Sequence, residues 1–161
     1  MLFDALGEAT ATDDRQVLIT SALLGVVAAG DRIPAYRLSA GSDLHRLGQV
    51  GPWWRPHLAP LGAQISASGR LVVDARSGAY RSMMPVAGAI RVDAVVERGG
   101  RRQVVSHDAK RYRGLLGRAL LTAETAPTTP TQLRQLAADL LGPGLEAELD
   151  GQVLVLVDRR D

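Results

Sequence analysis

Ile90 to Arg118 reads IRVDAVVERGGRRQVVSHDAKRYRGLLGR, and its change of period decides the fold. From Ile90 to Glu97, apolar and polar residues alternate, so Ile90, Val92, Ala94 and Val96 share one face of a strand. Gly99-Gly100 follows, a pair suited to the left-handed backbone of a two-residue hairpin, and Arg102 to His107 forms the return arm. From Asp108 to about Glu124 the period becomes helical. Steps of roughly 100° per residue place Tyr112, Leu115, Leu116, Ala119 and Leu120 on one stripe. A strand, a tight hairpin and an amphipathic helix in sequence predict an α/β fold, with the helix stripe packed on a mixed sheet.

The flanking segments extend this pattern. Gln16 to Ser21 is an apolar, β-branched run that predicts a buried strand, and the small residues Ala22 to Gly30 follow it. Leu44 to Leu61 reads as helical in part, limited by Pro52 and Pro56, with Trp53 and Trp54 as its bulk. Arg70 to Asp74 is a second short strand, and Ser77 is placed to cap a short helix running through Met84. Thr125 to Thr131 is a linker, and a further helix from about Thr131 to Leu141 stops at Gly142-Pro143-Gly144. Gln152 to Val157 is the closing strand. No internal repeat interrupts residues 1–161, which read as a single α/β domain with a mixed β-sheet packed by helices.

The 161 residues, 46% of them hydrophobic, suffice for one core of ordinary size. The absence of cysteine removes disulfides, thiol nucleophiles and thiolate metal sites, and His45, His57 and His107 lack a paired ligand spacing. No metal or cofactor is therefore expected. Met1 to Asp14 lacks the pattern of a secretory signal, and no apolar run approaches a membrane span, so a cytoplasmic protein without a membrane partner is expected. The net charge of +2 is small, with basic residues concentrated between Arg98 and Arg118, where an anionic partner is expected to bind.

Within that stretch stands Lys110, the one lysine beside 18 arginines. Arginine's fork stays charged, whereas lysine is a compact ammonium able to lose its proton, so Lys110 is a candidate nucleophile or base as well as a cation. The arc opposite the apolar stripe holds Lys110, Arg111, Arg113, Gly114, Gly117 and Arg118. Glycine costs about 1 kcal/mol against alanine inside a helix, so two on this arc imply that something approaches the backbone there. A DNA backbone or a phosphorylated small molecule fits such a face, as does a solvated surface. Leu141 to Leu145 faintly resembles the turn of a DNA-binding helix-hairpin-helix, but Glu146, Glu148 and Asp150 beyond it would repel phosphate.

Five segments, taken in order, resemble the YaaA family of bacterial peroxide stress proteins. They are Ser21 to Gly25, Asp31 to Leu38 with its Tyr36-Arg37-Leu38, Val73 to Tyr80, Ser106 to Arg118 with Lys110, Arg113, Gly114 and Arg118 in register, and Leu154 to Arg159. Trp54 also falls where the family has a tryptophan. The chain departs from the pattern at Ala28-Ala29, Ala35 and Ala79, and it corresponds to the C-terminal part of the family's length, without the family's N-terminal segment. The resemblance implies a role in oxidative stress, limiting damage from peroxide and free iron, with DNA binding but no settled catalytic activity. A missing strand would leave a sheet edge open to self-association. Ser21 and Ser77 each follow a predicted strand, so they, Tyr36 and Arg37 are expected to join Lys110, Arg113 and Arg118 in one anion site at the carboxyl ends of the sheet.

Overall fold

The structure is a computed structural model that describes residues 2–7, 15–104, 106–140 and 145–160. It is α/β, and the chain divides into two compact units, Met1–Arg15 with Val73–Ala75 and Ile90–Asp161, and Gln16–Val72 with Arg76–Ala89. The first contains a five-stranded mixed sheet and is called the sheet unit below.

The sheet unit is built on the stretch quoted above. β6 (Ile90–Arg98) buries Ile90, Val92, Ala94 and Val96 in strict alternation, as the sequence predicts. It turns through Gly99 (φ 53°) and Gly100 (φ 72°) into β7 (Arg101–Gln103), with Arg98 opposite Arg101. Left-handed conformation at both loop residues is the hairpin geometry whose twist matches its strands. On its other edge β6 runs parallel to β9 (Val153–Arg159), from Arg91 beside Val153 to Glu97 beside Arg159. β8 (Leu145–Asp150) pairs antiparallel with β9, and the two-residue β5 (Val73–Asp74) runs parallel to the start of β6. The order is β5-β6-β9-β8, with β7 beside the far end of β6.

α4 (Ser106–Thr122) packs on β6, α5 (Pro130–Leu140) on β8 and α4, and α1 (Leu2–Leu6) on α4. Tyr112, Leu116 and Ala119 are buried, so the stripe expected to face the sheet does so. Pro130 opens α5, where its missing N–H has no intrahelical partner to lose. Arg15 donates to the Leu121 and Ala123 carbonyls, satisfying acceptors that the end of α4 leaves without helical partners. Val104 is exposed before α4; Val105 and the helix stop at 142–144 lie outside the described residues.

The second face of the sheet carries ion pairs between its strands. Arg102 joins Glu97 of β6 at 2.9 Å and grips Glu148 of β8 with two bonds of 2.6 and 2.7 Å, while Arg159 of β9 meets Glu146 at 2.9 Å. Val157 lies on this face of β9 and is fully buried. The Glu146, Glu148 and Asp150 series therefore belongs to an edge strand that the sequence reading left out.

The second unit begins with β1 (Leu18–Ser21), which is not a strand of the main sheet. It forms a two-stranded hairpin with β2 (Gly25–Ala28), the segment read above only as small residues. A smaller hairpin, β3 (Asp43–Leu44) and β4 (Gly48–Gln49), precedes α2 (Val50–Ser66). The prolines do not limit α2 as expected. Pro52 sits in its first turn, where N–H groups are orphaned in any case, and Pro56 and Pro60 follow at four-residue spacing on the exposed side. The carbonyls they leave unbonded, those of Pro52 and Pro56, belong to residues that also face solvent. α3 (Gly78–Met83) starts after Ser77 as expected, but the Ser77 side chain makes no capping bond. Ala40, Leu58, Met83 and Met84 form this unit's core, with Trp54, Leu61 and Ile65 packed against it. No described helix is long and apolar enough to cross a membrane.

The Arg102 hydrogen bonds hold the Glu148 carboxyl below its ordinary pKa. A lowered carboxyl contributes stability above its unfolded value, about 4.5, and loses it as pH falls through the folded value. Glu148→Gln is expected to lower the plateau of a stability–pH profile slightly, the effect being small because both partners are partly solvated, and to flatten the acid limb below about pH 4.5 by the same amount. Urea midpoints collected from pH 3 to 7 measure this.

Candidate functional site

The N-terminal half of α4 lies at the carboxyl end of the parallel strands. Tyr112 donates its hydroxyl to Asp158 near the end of β9, and Arg160 binds the same carboxylate at 2.6 Å, Asp108 at 2.9 Å and the Tyr112 oxygen at 3.3 Å. Burial, with the hydrogen bond to Asp158 second, raises the Tyr112 pKa above its ordinary 10. The Tyr112 hydroxyl first, and then the surrounding carboxylates, favour the charged Arg160 guanidinium. In the sequence Tyr112 stands only as part of an apolar stripe. Its hydroxyl, beside Asp108 four residues earlier, is the local sign that the stripe has a polar end.

The basic arc divides into different roles. Arg113 is largely buried, donates to the Val92 carbonyl at 2.9 Å and approaches Asp93 at 3.4 Å, fastening α4 to β6. Lys110, Arg111 and Arg118 are exposed and have no carboxylate partner among the described residues. Arg111 lies with its Cζ 5.9 Å from the Tyr112 ring.

Gly114 and Gly117 correct an inference. Something does approach the helix backbone there, but it is α1. A Cβ on Gly114 would collide with the Leu2 carbonyl oxygen and lie 2.7 Å from Ala5 Cβ, and one on Gly117 would meet Leu6 Cδ1 at 3.0 Å. The glycines serve internal packing, and the cations around them remain as the candidate surface.

The residues proposed to join Lys110 from earlier motifs all belong to the second unit. Ser21 and Tyr36 meet, Oγ to hydroxyl, at 2.7 Å, and Ser21 Oγ also accepts the Leu24 N–H at 2.9 Å. Arg37 lines a shallow concavity with Tyr36, Leu38, Ser39 and Ser42. Ser77 is exposed at the start of α3. Because β1 and β6 belong to different sheets, a shared set of strand ends no longer supports bringing these residues to Lys110.

The family described as "Peroxide stress protein YaaA" matches residues 4–142. The chain belongs to this family. It is 36% identical over 155 residues to UPF0246 protein CE1889 of Corynebacterium efficiens, covering 93% of this chain and 62% of that one. With UPF0246 protein SCO2297 of Streptomyces coelicolor it shares 38% identity over 137 residues, 83% of this chain and 52% of the relative. A UPF0246 protein of Corynebacterium glutamicum is 40% identical over 132 residues, 77% and 52%. The chain thus spans about half to three-fifths of the length of these curated relatives. The match covers the α4 segment as well as the second unit.

Two substitutions separate packing from surface charge. Gly114→Ala in an open helix would stabilise the YaaA-family chain by about 1 kcal/mol, but with the Leu2 carbonyl in the way the sign is expected to reverse, costing about 1–3 kcal/mol in urea denaturation. Tyr112→Phe is expected to cost about 1 kcal/mol for the missing hydrogen bond. Since the Tyr112 pKa is raised, that margin is fully present below about pH 10 and is lost as pH rises through the folded value, which paired denaturation curves at pH 7 and above 10 measure.

Proposed function

We propose that this YaaA-family protein acts in the cytoplasmic response to peroxide stress by binding DNA, or another phosphate-bearing ligand, through α4. The observation that carries this reading is the exposure of Lys110, Arg111 and Arg118 on one arc with no carboxylate partner among the described residues, while Arg102, Arg113, Arg159 and Arg160 are engaged by acidic residues. Cations left available on a helix face attract a phosphate backbone and make its binding dependent on salt. The family description supports the stress role.

The alternative is a small-molecule enzyme using Lys110 as nucleophile or base in an anion-binding pocket. Such lysines are activated by desolvation or by an adjacent cation. Lys110 is exposed, and Arg113, three positions along, is turned toward Asp93. These features favour binding over chemistry at this position.

Fluorescence anisotropy with labelled duplex DNA at several salt concentrations tests the proposal. Affinity is expected to fall linearly on logarithmic axes. Alanine at Lys110, Arg111 and Arg118 should make that slope shallower by about 0.9 for each phosphate no longer neutralised. Lys110→Arg should retain binding under this reading, whereas it would abolish a lysine-dependent reaction. Binding that is absent, or indifferent to both salt and these substitutions, overturns it.

A further inference from the structure

We infer that the second unit carries a separate site for single-stranded DNA, with Trp53 as its principal stacking surface. The ligand class rests on the nucleic-acid reading above, but the residues are different, and the first argument is charge. The second unit has seven arginines against two aspartates, a net +5, whereas the sheet unit has twelve basic against fifteen acidic residues, a net −3. The net positive charge of the protein therefore resides in the unit without α4.

The second argument is the exposed aromatic surface within this unit. Trp53 and Tyr36 are each 37% exposed, and Leu23 and Leu24 at the β1–β2 turn are 43% and 39% exposed. Adjacent residues of β1 and its turn position both aromatic elements. Ser21 Oγ holds the Tyr36 hydroxyl, and the Ala22 carbonyl accepts the Trp54 indole N–H at 2.8 Å. The Trp54 ring rests on Gly25, whose φ of 80° and lack of a Cβ permit the approach; a Cβ there would lie 2.9 Å from the ring. Trp53 is set edge-to-face against Trp54, with centroids 4.8 Å apart, and the His57 ring lies 4.6 Å away. A rigidly framed indole in a cationic unit suits unstacked bases, which bind by ring contact while their phosphates meet arginine. Arg55 and Arg37, both exposed and each close in sequence to one of these aromatic positions, are candidates for that contact.

Both tryptophans of the chain stand at this site, so its intrinsic emission reports on it directly. Titration of the whole chain with oligo-dT is expected to quench emission saturably. Trp53→Ala should bind oligo-dT about tenfold more weakly, leave the remaining Trp54 emission unquenched and not alter duplex affinity; Trp53→Phe, which keeps a ring, should restore most of the loss. Oligo-dT binding without quenching, equal affinity in Trp53→Ala, or an emission shift with phosphatidylglycerol vesicles but not with oligo-dT would each overturn the assignment. Alanine at Lys110, Arg111 and Arg118 separates the two readings. Duplex binding abolished in that variant with no tryptophan response in the parent refutes the Trp53 site alone, and a tryptophan response without α4-dependent binding refutes the α4 reading alone.

Discussion

β6 is hydrogen-bonded along both edges, to β5 and β7 on one side and to β9 on the other, and the arrangement of the sheet unit follows from that position. A strand held on two sides has a fixed register. A slip of one residue would exchange Ile90, Val92, Ala94 and Val96 with Arg91, Asp93, Val95 and Glu97, sending charge beneath α4. The Gly99-Gly100 turn then fixes β7 and delivers the chain to the start of α4. Arg113, reaching the Val92 carbonyl, and Tyr112, reaching Asp158, fix the rotation of that helix. Lys110 and Arg111 face outward because their neighbours are held inward.

The central part of this arrangement is legible in the sequence because it depends on local periods. The β6 alternation, the glycine pair and the α4 stripe each need only a short window. β8 carries an equally clear alternation of Leu145, Ala147 and Leu149 with Glu146, Glu148 and Asp150, which goes unnoticed when the acidic residues are weighed only for their effect on DNA. The prolines of α2 mislead because their cost depends on whether the released carbonyls face solvent, a property of the folded helix. Gly114 lies between these cases. Its cost in a helix correctly implies a close approach, but the approaching group, the Leu2 carbonyl, lies more than a hundred residues away.

Charge shows most clearly why a candidate surface is hard to read from sequence. Between Arg98 and Arg118 the basic residues are dense, yet two serve as struts: Arg102 spans two carboxylates and Arg113 is turned into the sheet. Which cations remain available depends on long-range pairs such as Arg102 with Glu148 and Arg160 with Asp108. β1 likewise pairs within its own hairpin rather than in the main sheet, a partner choice that its short apolar run does not disclose.

The parallel pairing of β6 with β9 also constrains synthesis of the chain on the ribosome. Arg91 and Val153 are partners, so the outer edge of β6 stays without its main neighbour until roughly 60 further residues have been added, about 3–12 s at ordinary elongation rates. During that interval Val92, Ala94 and Val96 belong to a nascent strand with one bare edge, the kind of segment that chaperones shield. The second unit has no such wait, because the partners of its β1–β2 hairpin lie within ten residues of one another.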